Sequence, residues 1–263
     1  MARIKIRAPR ASTPTPPPEG ISGPAEARCY FAGEGDPVHL HLLRIPAGEA
    51  VRLDPVARDR LAFVWHGAIA AGGHDLTRGS SLIVEHGARL EIRATGEEAV
   101  LVLFAPAPPA PDERPGGHVH LLPRERVPRI ESSPGSSTSG HLHTDGRCPT
   151  CDVWLNENAL PGRAEPPSAE EALMGIHAHP ENEIIFVIEG RMRVGGRMLE
   201  PGTALAIAAD TLYGFAPGPE GVGFITFRPT TTHAIRFARD NEYAHSTYFD
   251  GAGPVPYLEP LPA

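Results

Sequence analysis

Cysteine is scarce in this chain. Three occur among 263 residues, Cys29, Cys148 and Cys151, too few and too unevenly spaced for a disulfide framework, so a reducing compartment fits and the expected location is cytoplasmic. Positive charge is never concentrated: the formal net charge is −8, with no Lys/Arg-rich block and no aromatic-studded basic stripe. Phosphate backbones need concentrated positive charge, so no nucleic-acid partner is expected. Long apolar runs are missing too. None approaches the length that spans a bilayer, and the basic opening MARIKIRAPRASTPTPPPEG lacks the apolar stretch of a signal peptide, so no membrane partner is expected. Helical periodicity is nearly absent. The one good candidate is the short SAEEALMG, opened by Ser168 with Glu171 three residues later as a capping box.

Glycine and proline, by contrast, are plentiful. The 28 Gly and 30 Pro call for many turns and short elements, which favours β structure. The apolar runs are of strand length, as in LAFVW, SLIV, AVLVLF, EIIFVIEG, ALAIA and GFITF, and Gly-rich turns separate them. The length suits one large or two modest domains.

The chain also repeats itself. Shifted by 123 positions, FVWHGAIAAGGHDLTRGSSL from Phe63 lies over FVIEGRMRVGGRMLEPGTAL from Phe186, and the ungapped match runs from Asp54 over His177 to Phe104 over Phe227. Its identities include Gly67/Gly190, Gly72/Gly195, Gly73/Gly196 and Gly79/Gly202. Glycines at fixed offsets mark backbone that needs positive φ or close approach, so one set of hairpins is built twice. A period this long fits a domain rather than a solenoid unit. The expected division is a Pro-rich N-terminal segment (1–24), an N-terminal domain (25–106), an extended linker (107–117), a C-terminal domain (118–230) and a tail (231–263).

In the second copy, GIHAHPENEIIFVIEG reads His177-x-His179-x3-Glu183-x6-Gly190. This resembles the first motif of the cupin superfamily, G-x5-H-x-H-x3-E-x6-G. Gly202 then opens the second motif, with Ala208 at its proline position, Asp210 at its glycine position and Tyr213 where the family has a third histidine. The first copy keeps the frame but carries Asp54, Val56, Arg60 and Leu90 at the ligand positions. The resemblance implies an all-β chain of two tandem jelly-roll barrels joined by a Pro-rich linker, with a metal site in the second barrel only. Asp54 and Arg60 are then expected to pair.

A strand sends alternate residues to one face, so His177, His179 and, without an intervening bulge, Glu183 point together. Imidazole and carboxylate suit Fe, Mn, Ni, Co or Zn better than Ca, and such a set leaves coordination positions open for substrate or O2. Three roles are open to Tyr213: a phenolate ligand, a protonated donor acting as catalytic acid/base, or an ordinary core tyrosine.

Other groupings are weaker. HLHTDGRCPTC places His141 and His143 beside Cys148 and Cys151, a spacing that serves either a zinc site or a loop with free thiols. Trp154 and Arg163 lie in the same long insertion and are either substrate contacts or, more simply, a packed ring and a solvated cation. The pairs His39/His41 and His118/His120 read as structural residues on opening strands. Arg228 closes the last strand, either solvated or anchoring a substrate carboxylate.

The functional expectation is a metal-dependent enzyme acting on a small polar organic molecule. Oxygenase chemistry leads by family resemblance. The rivals are a non-catalytic binding or sensing module and a metal-dependent isomerase or lyase. A homodimer is the plain expectation for a chain of this build.

Overall fold

The computed structural model describes residues 3–33, 35–111, 113–131, 139–144, 148, 150–230, 234–246 and 254–258. It is all-β apart from the helix Ala169–Gly175 and two 3-10 turns. No helix among the described residues is long and apolar enough to cross a membrane.

Two compact units result. The N-terminal unit comprises Ser12–Val127, Arg147–Val153 and Val255–Ala263, and the C-terminal unit Met1–Ala11, Pro128–Gly146 and Trp154–Pro254. In the N-terminal unit a seven-stranded sheet runs in the order Val119–Leu122, Ser81–Val84, Arg60–His66, Ala99–Pro106, Val38–Ile45, Glu26–Phe31, Thr13–Thr15. A five-stranded sheet, Ile21–Ser22, Ala50–Leu53, Leu90–Ala94, Ala68–Ala71, His74–Thr77, covers it. Leu43, Val64 and Leu101 from the first sheet meet Val51, Ile69 and Ile92 from the second in one buried cluster. Strict alternation in the strand LEIRA, buried at Leu90, Ile92 and Ala94 and exposed between, is the period-2 pattern of a sheet with one wet face.

The C-terminal unit repeats the plan. Its long sheet runs Ile4–Arg7, Ala204–Ile207, Glu183–Val194, Ala216–Arg228, Trp154–Leu160, Ser139–Leu142, Arg129–Glu131, with Arg197–Leu199 paired to Glu183–Val194. A smaller sheet joins His177–Ala178, Ala234–Phe237 and Ala244–His245. Ile185, Val187, Met192, Leu205 and Phe224 form its apolar filling. The duplicated glycines recur in geometry as well as sequence. Gly67 and Gly190 both have positive φ (71° and 61°). A Cβ on Gly67 would strike the carbonyl oxygen of Glu98, and one on Gly190 that of Gly221.

The boundaries differ from those read along the sequence. Val119–Leu122, assigned above to the second domain, pairs with Ser81–Val84 in the first, Ile83 opposite His120. The segment 1–24 is not a separate arm: Ile4–Arg7 is an edge strand on Ala204–Ile207, and Thr13–Thr15 pairs with Ala27–Cys29. The linker 107–117 lies along the N-terminal unit, with Ala107 and Ala110 donating to the carbonyls of Pro37 and Ala57 and Gly117 to that of His86. The tail is also divided, since Ala234–Phe237 pairs with His177–Ala178 while the Leu258 amide donates to the Leu121 carbonyl. The physical reason is shared: backbone N–H and C=O groups at sheet edges and in loops need partners, and chain remote in sequence supplies them, which no local composition signals.

The helix forms as its ends dictate. The Ser168 side chain accepts from the Glu171 amide and the Glu171 carboxylate accepts from the Ser168 amide, a closed capping box.

Candidate metal centre

His177, His179, Glu183 and Tyr213 lie in one region of the C-terminal unit, though not by simple alternation. His177 lies against Tyr213, and both His179 and Glu183 lie against Arg228, without donor atoms of the two histidines and Glu183 all falling within 4.8 Å of one another. The strand His177–Ala178 stops, residues 180–182 turn, and Glu183 opens a new strand. The turn is pinned: the Asn182 side chain accepts from the Ala209 amide at 3.0 Å, and the Asp210 amide donates to the His179 carbonyl at 2.8 Å. Asp210 stands at the motif's glycine position with φ of 59°. Aspartate is among the few side chains that tolerate this left-handed conformation, and its carboxylate accepts from the Tyr243 hydroxyl at 2.7 Å. Tyr213 faces His177 across an isolated antiparallel bridge, each amide donating to the other's carbonyl at 2.9 Å.

The tautomers of both histidines follow from their partners. Nδ1 of His177 lies 2.9 Å from the Gly175 carbonyl and Nδ1 of His179 lies 2.7 Å from the Ala234 carbonyl. A carbonyl only accepts, so each Nδ1 carries the proton and a neutral ring turns its Nε2 lone pair inward. Tyr213 donates its hydroxyl to His177 Nε2 at 3.0 Å, and Arg228 Nη2 meets His179 Nε2 at 2.8 Å. Arg228 Nε also donates to Glu183 Oε2 at 3.2 Å. The other oxygen, Oε1, is buried without a hydrogen bond of good geometry, and the Tyr213 hydroxyl lies close enough to this carboxylate to shift both groups.

Electrostatics follow from burial. Burial pushes the Glu183 carboxyl up, but the Arg228 guanidinium and then His179 outweigh it and hold the pKa below the usual range. His179 is driven down to about 4, chiefly by desolvation, with Arg228 adding to the effect. Tyr213 lies well above the ordinary phenol value, through burial first and the charge of Glu183 second, so it stays protonated. Arg228 is thus no solvated rim residue. It is the cation of this site, a role that its position at a strand end did not reveal.

The other sequence candidates fall elsewhere. His143 and His141 lie 3.5 and 3.9 Å from the Glu157 carboxylate, and neither joins the cysteines. Trp154 is 1% exposed and donates its indole N–H to Asn156, a packed ring. Arg163 pairs with Glu171 on the surface at 2.7 Å. In the first barrel, Arg60 turns to backbone rather than to the Asp54 carboxylate, donating to the carbonyls of Gly20 and Asp54 at 3.1 and 2.8 Å. The Asp54 carboxylate instead accepts from Ser22 Oγ at 3.1 Å. With Leu90 buried in the apolar cluster, the first-copy motif positions hold no ligand set.

A second grouping was not read from the sequence. Glu85, His120, Cys148 and Cys151 each offer a donor atom, and these atoms all lie within 4.8 Å of one another. Glu85 follows the strand Ser81–Val84 and its amide donates to the His118 carbonyl, while His120 sits on the paired strand. Only strand register brings the two together. The Cys148 thiol is held at about 3 by the Cys151 thiol first, against burial, and then by His120; Cys151 is pushed up correspondingly. Burial raises Glu85 and lowers His120, but their mutual hydrogen bond and their neighbours reverse both, to about 2 and about 9.

Several solved structures share this architecture. The putative dioxygenase of Nostoc punctiforme aligns over 94% of this chain and 89% of its own with a TM-score of 0.65 at 14% identity. The Escherichia coli protein YlbA aligns over 87% and 91% with a TM-score of 0.66 at 12% identity. A mutant of the Bacillus subtilis oxalate decarboxylase OxdC aligns over 89% and 79% with a TM-score of 0.63 at 12% identity. The fold is the cupin fold. Identities this low speak to architecture alone. No family model and no curated protein sequence matches the chain. His177, His179 and Glu183 stand at the positions of the motif read from the sequence, and Arg228 contacts two of them.

Proposed function

We propose that the C-terminal barrel is the site of a metal-dependent enzyme acting on a small polar organic molecule, with oxygenase chemistry the leading reaction class. The observation that carries this is the paired tautomer: both histidines spend Nδ1–H on a backbone carbonyl and aim Nε2 inward, beside the buried Glu183 carboxylate. Metal-bound histidines are held in this way, the far nitrogen anchored and the near one turned to the ion; here Tyr213 and Arg228 meet the near nitrogens and would have to yield them. His177, His179 and Glu183 would hold a divalent transition metal, which when bound polarises substrate oxygen atoms and provides open positions for substrate or O2.

The chain's own groups do the rest. Tyr213, protonated throughout the physiological range, is placed to donate to an oxygen of the bound substrate. Arg228, released from Glu183, offers a planar fork for a substrate carboxylate. The apolar wall of Ile185, Val187 and Phe224 excludes water and strengthens both contacts.

A second reading rests on Arg228 itself. A guanidinium that permanently spans His179 and Glu183 would replace the ion and leave a metal-free binding module. Elemental analysis of anaerobically purified protein separates the two. On the enzyme reading the parent holds an ion that His177→Ala loses and Tyr213→Phe keeps, and candidate acids are converted only by metal-loaded protein, with O2 consumed if the oxygenase class is right. Identical metal content in parent, His177→Ala and Glu183→Gln would leave the binding module.

A further inference from the structure

The Glu85 grouping lies wholly within the N-terminal unit, so it is separate from the site just described. Its chemistry is also different. Two thiols, an imidazole and a carboxylate converge, three of the four residues buried and Cys148 half-buried. Glu85 Oε1 is 2.6 Å from His120 Nε2, and His120 Nε2 is 3.8 Å from Cys148 Sγ. We propose that Glu85, His120, Cys148 and Cys151 form a closed, four-ligand zinc site that fastens the Cys148–Val153 segment to the N-terminal barrel.

The ligand set favours zinc. Two thiolates disfavour Mg and Ca, four donor atoms within 4.8 Å of one another suit a single ion rather than a cluster, and a mixed S2NO set suits tetrahedral Zn.

The supporting shell is already present. Glu85 Oε2 accepts from the His118 amide and faces His118 Nδ1, both at 3.0 Å, which fixes the carboxylate with Oε1 toward the sulfurs. The Cys151 amide donates to Cys148 Sγ at 3.3 Å, as backbone does in a two-cysteine zinc turn, and Thr150 Oγ1 donates to Glu85 Oε1. The His120 ring packs on Tyr257, centroids 5.1 Å apart. Such contacts orient ligands before the ion arrives.

With all four positions taken by protein, the site is structural and has no opening for substrate. Its test uses the full-length parent, purified anaerobically without chelator. A thiol-blocking mercurial added with a zinc-sensitive dye should release one equivalent of zinc per chain. Cobalt substitution should give a thiolate-to-cobalt charge-transfer band that disappears in Cys148→Ser/Cys151→Ser and persists in His177→Ala, which separates this ion from any held in the C-terminal barrel. Freely reactive thiols with no zinc released would overturn the proposal. So would a Cys148–Cys151 peptide lighter by two hydrogens, the mark of a disulfide. The dye release needs no variant, so a poorly folding double mutant leaves the answer intact.

Discussion

Arg228 reaches His179 with its Nη2 2.8 Å from the imidazole Nε2, and the same guanidinium donates to Glu183 through Nε at 3.2 Å. One side chain thereby satisfies the lone pair and the negative charge that an ion would otherwise meet. In Arg228→Met, Glu183 is left buried with no countercharge. Breaking a buried pair in this way costs about 3–5 kcal/mol. The melting temperature of metal-free Arg228→Met should therefore fall well below that of the parent, and a divalent transition metal should raise it again more than it raises the parent. A variant that melts like the parent, with or without metal, would show that Arg228 does not balance Glu183.

The N-terminal barrel should respond to acid through His41. Desolvation, with the neighbouring His39 second, lowers its pKa from 6.5 to about 4. It lines a cavity of about 260 Å³ together with His39, Arg58, Arg60 and Glu19, so the charges facing it are mostly positive. The unfolded chain takes up a proton near 6.5 and the folded chain near 4. Between those values the unfolded state binds more protons, so this contribution to stability is complete above about pH 6.5 and is lost as pH falls through about 4. The loss amounts to at most about 3 kcal/mol. Urea melts across that window should show a steeper decline for the parent than for His41→Gln. Parallel curves would remove His41 as the cause.

Two glycines with the same sign of φ should behave differently. At Gly195 (φ 55°) nothing lies within 4 Å of the point where a Cβ would stand, whereas a Cβ on Gly190 (φ 61°) would run into backbone of Gly221 and Val222. Gly195→Ala thus meets only the left-handed penalty, about 1–2 kcal/mol. Gly190→Ala adds a clash with a neighbouring strand that can be relieved only by moving backbone, and should cost several kcal/mol more. Chemical denaturation of the two variants compares them directly. Equal losses would mean that the strand approach at Gly190 relaxes freely.

How much of this was legible from residue order depends on the range of the interaction. The strands and the duplicated barrel were readable because Gly67/Gly190 and the alternating apolar runs are local signals repeated at one offset. That His177 faces Tyr213 and that His179 and Glu183 lie near one another could be anticipated from motif spacing, although the turn at 180–182, rather than strand alternation, sets their approach. Arg228 lies 45 residues beyond Glu183, and only the pairing of Glu183–Val194 with Ala216–Arg228 brings it into the site. The Glu85 cluster was out of reach for the same reason. Ile83 opposite His120 is a register, not a composition, and His141 and His143 were the nearer partners in sequence for Cys148 and Cys151.

The cap at Ser168 should influence His177 across nine residues. The capping box closes the first turn of Ala169–Gly175, and the last residue of that helix supplies the carbonyl that fixes the His177 tautomer. Replacing a serine cap by alanine costs about 1 kcal/mol, roughly a fivefold rise in the open population. The helix has no buried residue, so fraying is local and the global melting temperature should barely move. Hydrogen exchange at the Ala172 amide, which donates to the Ser168 carbonyl at 2.9 Å, should speed up about fivefold in Ser168→Ala. Because the Gly175 carbonyl loosens with it, metal affinity at His177 should weaken in the same variant while the cysteine-bound ion is retained. Faster exchange without any change in metal affinity would show that Gly175 is held by Ile176 and the strand that follows, independently of the helix.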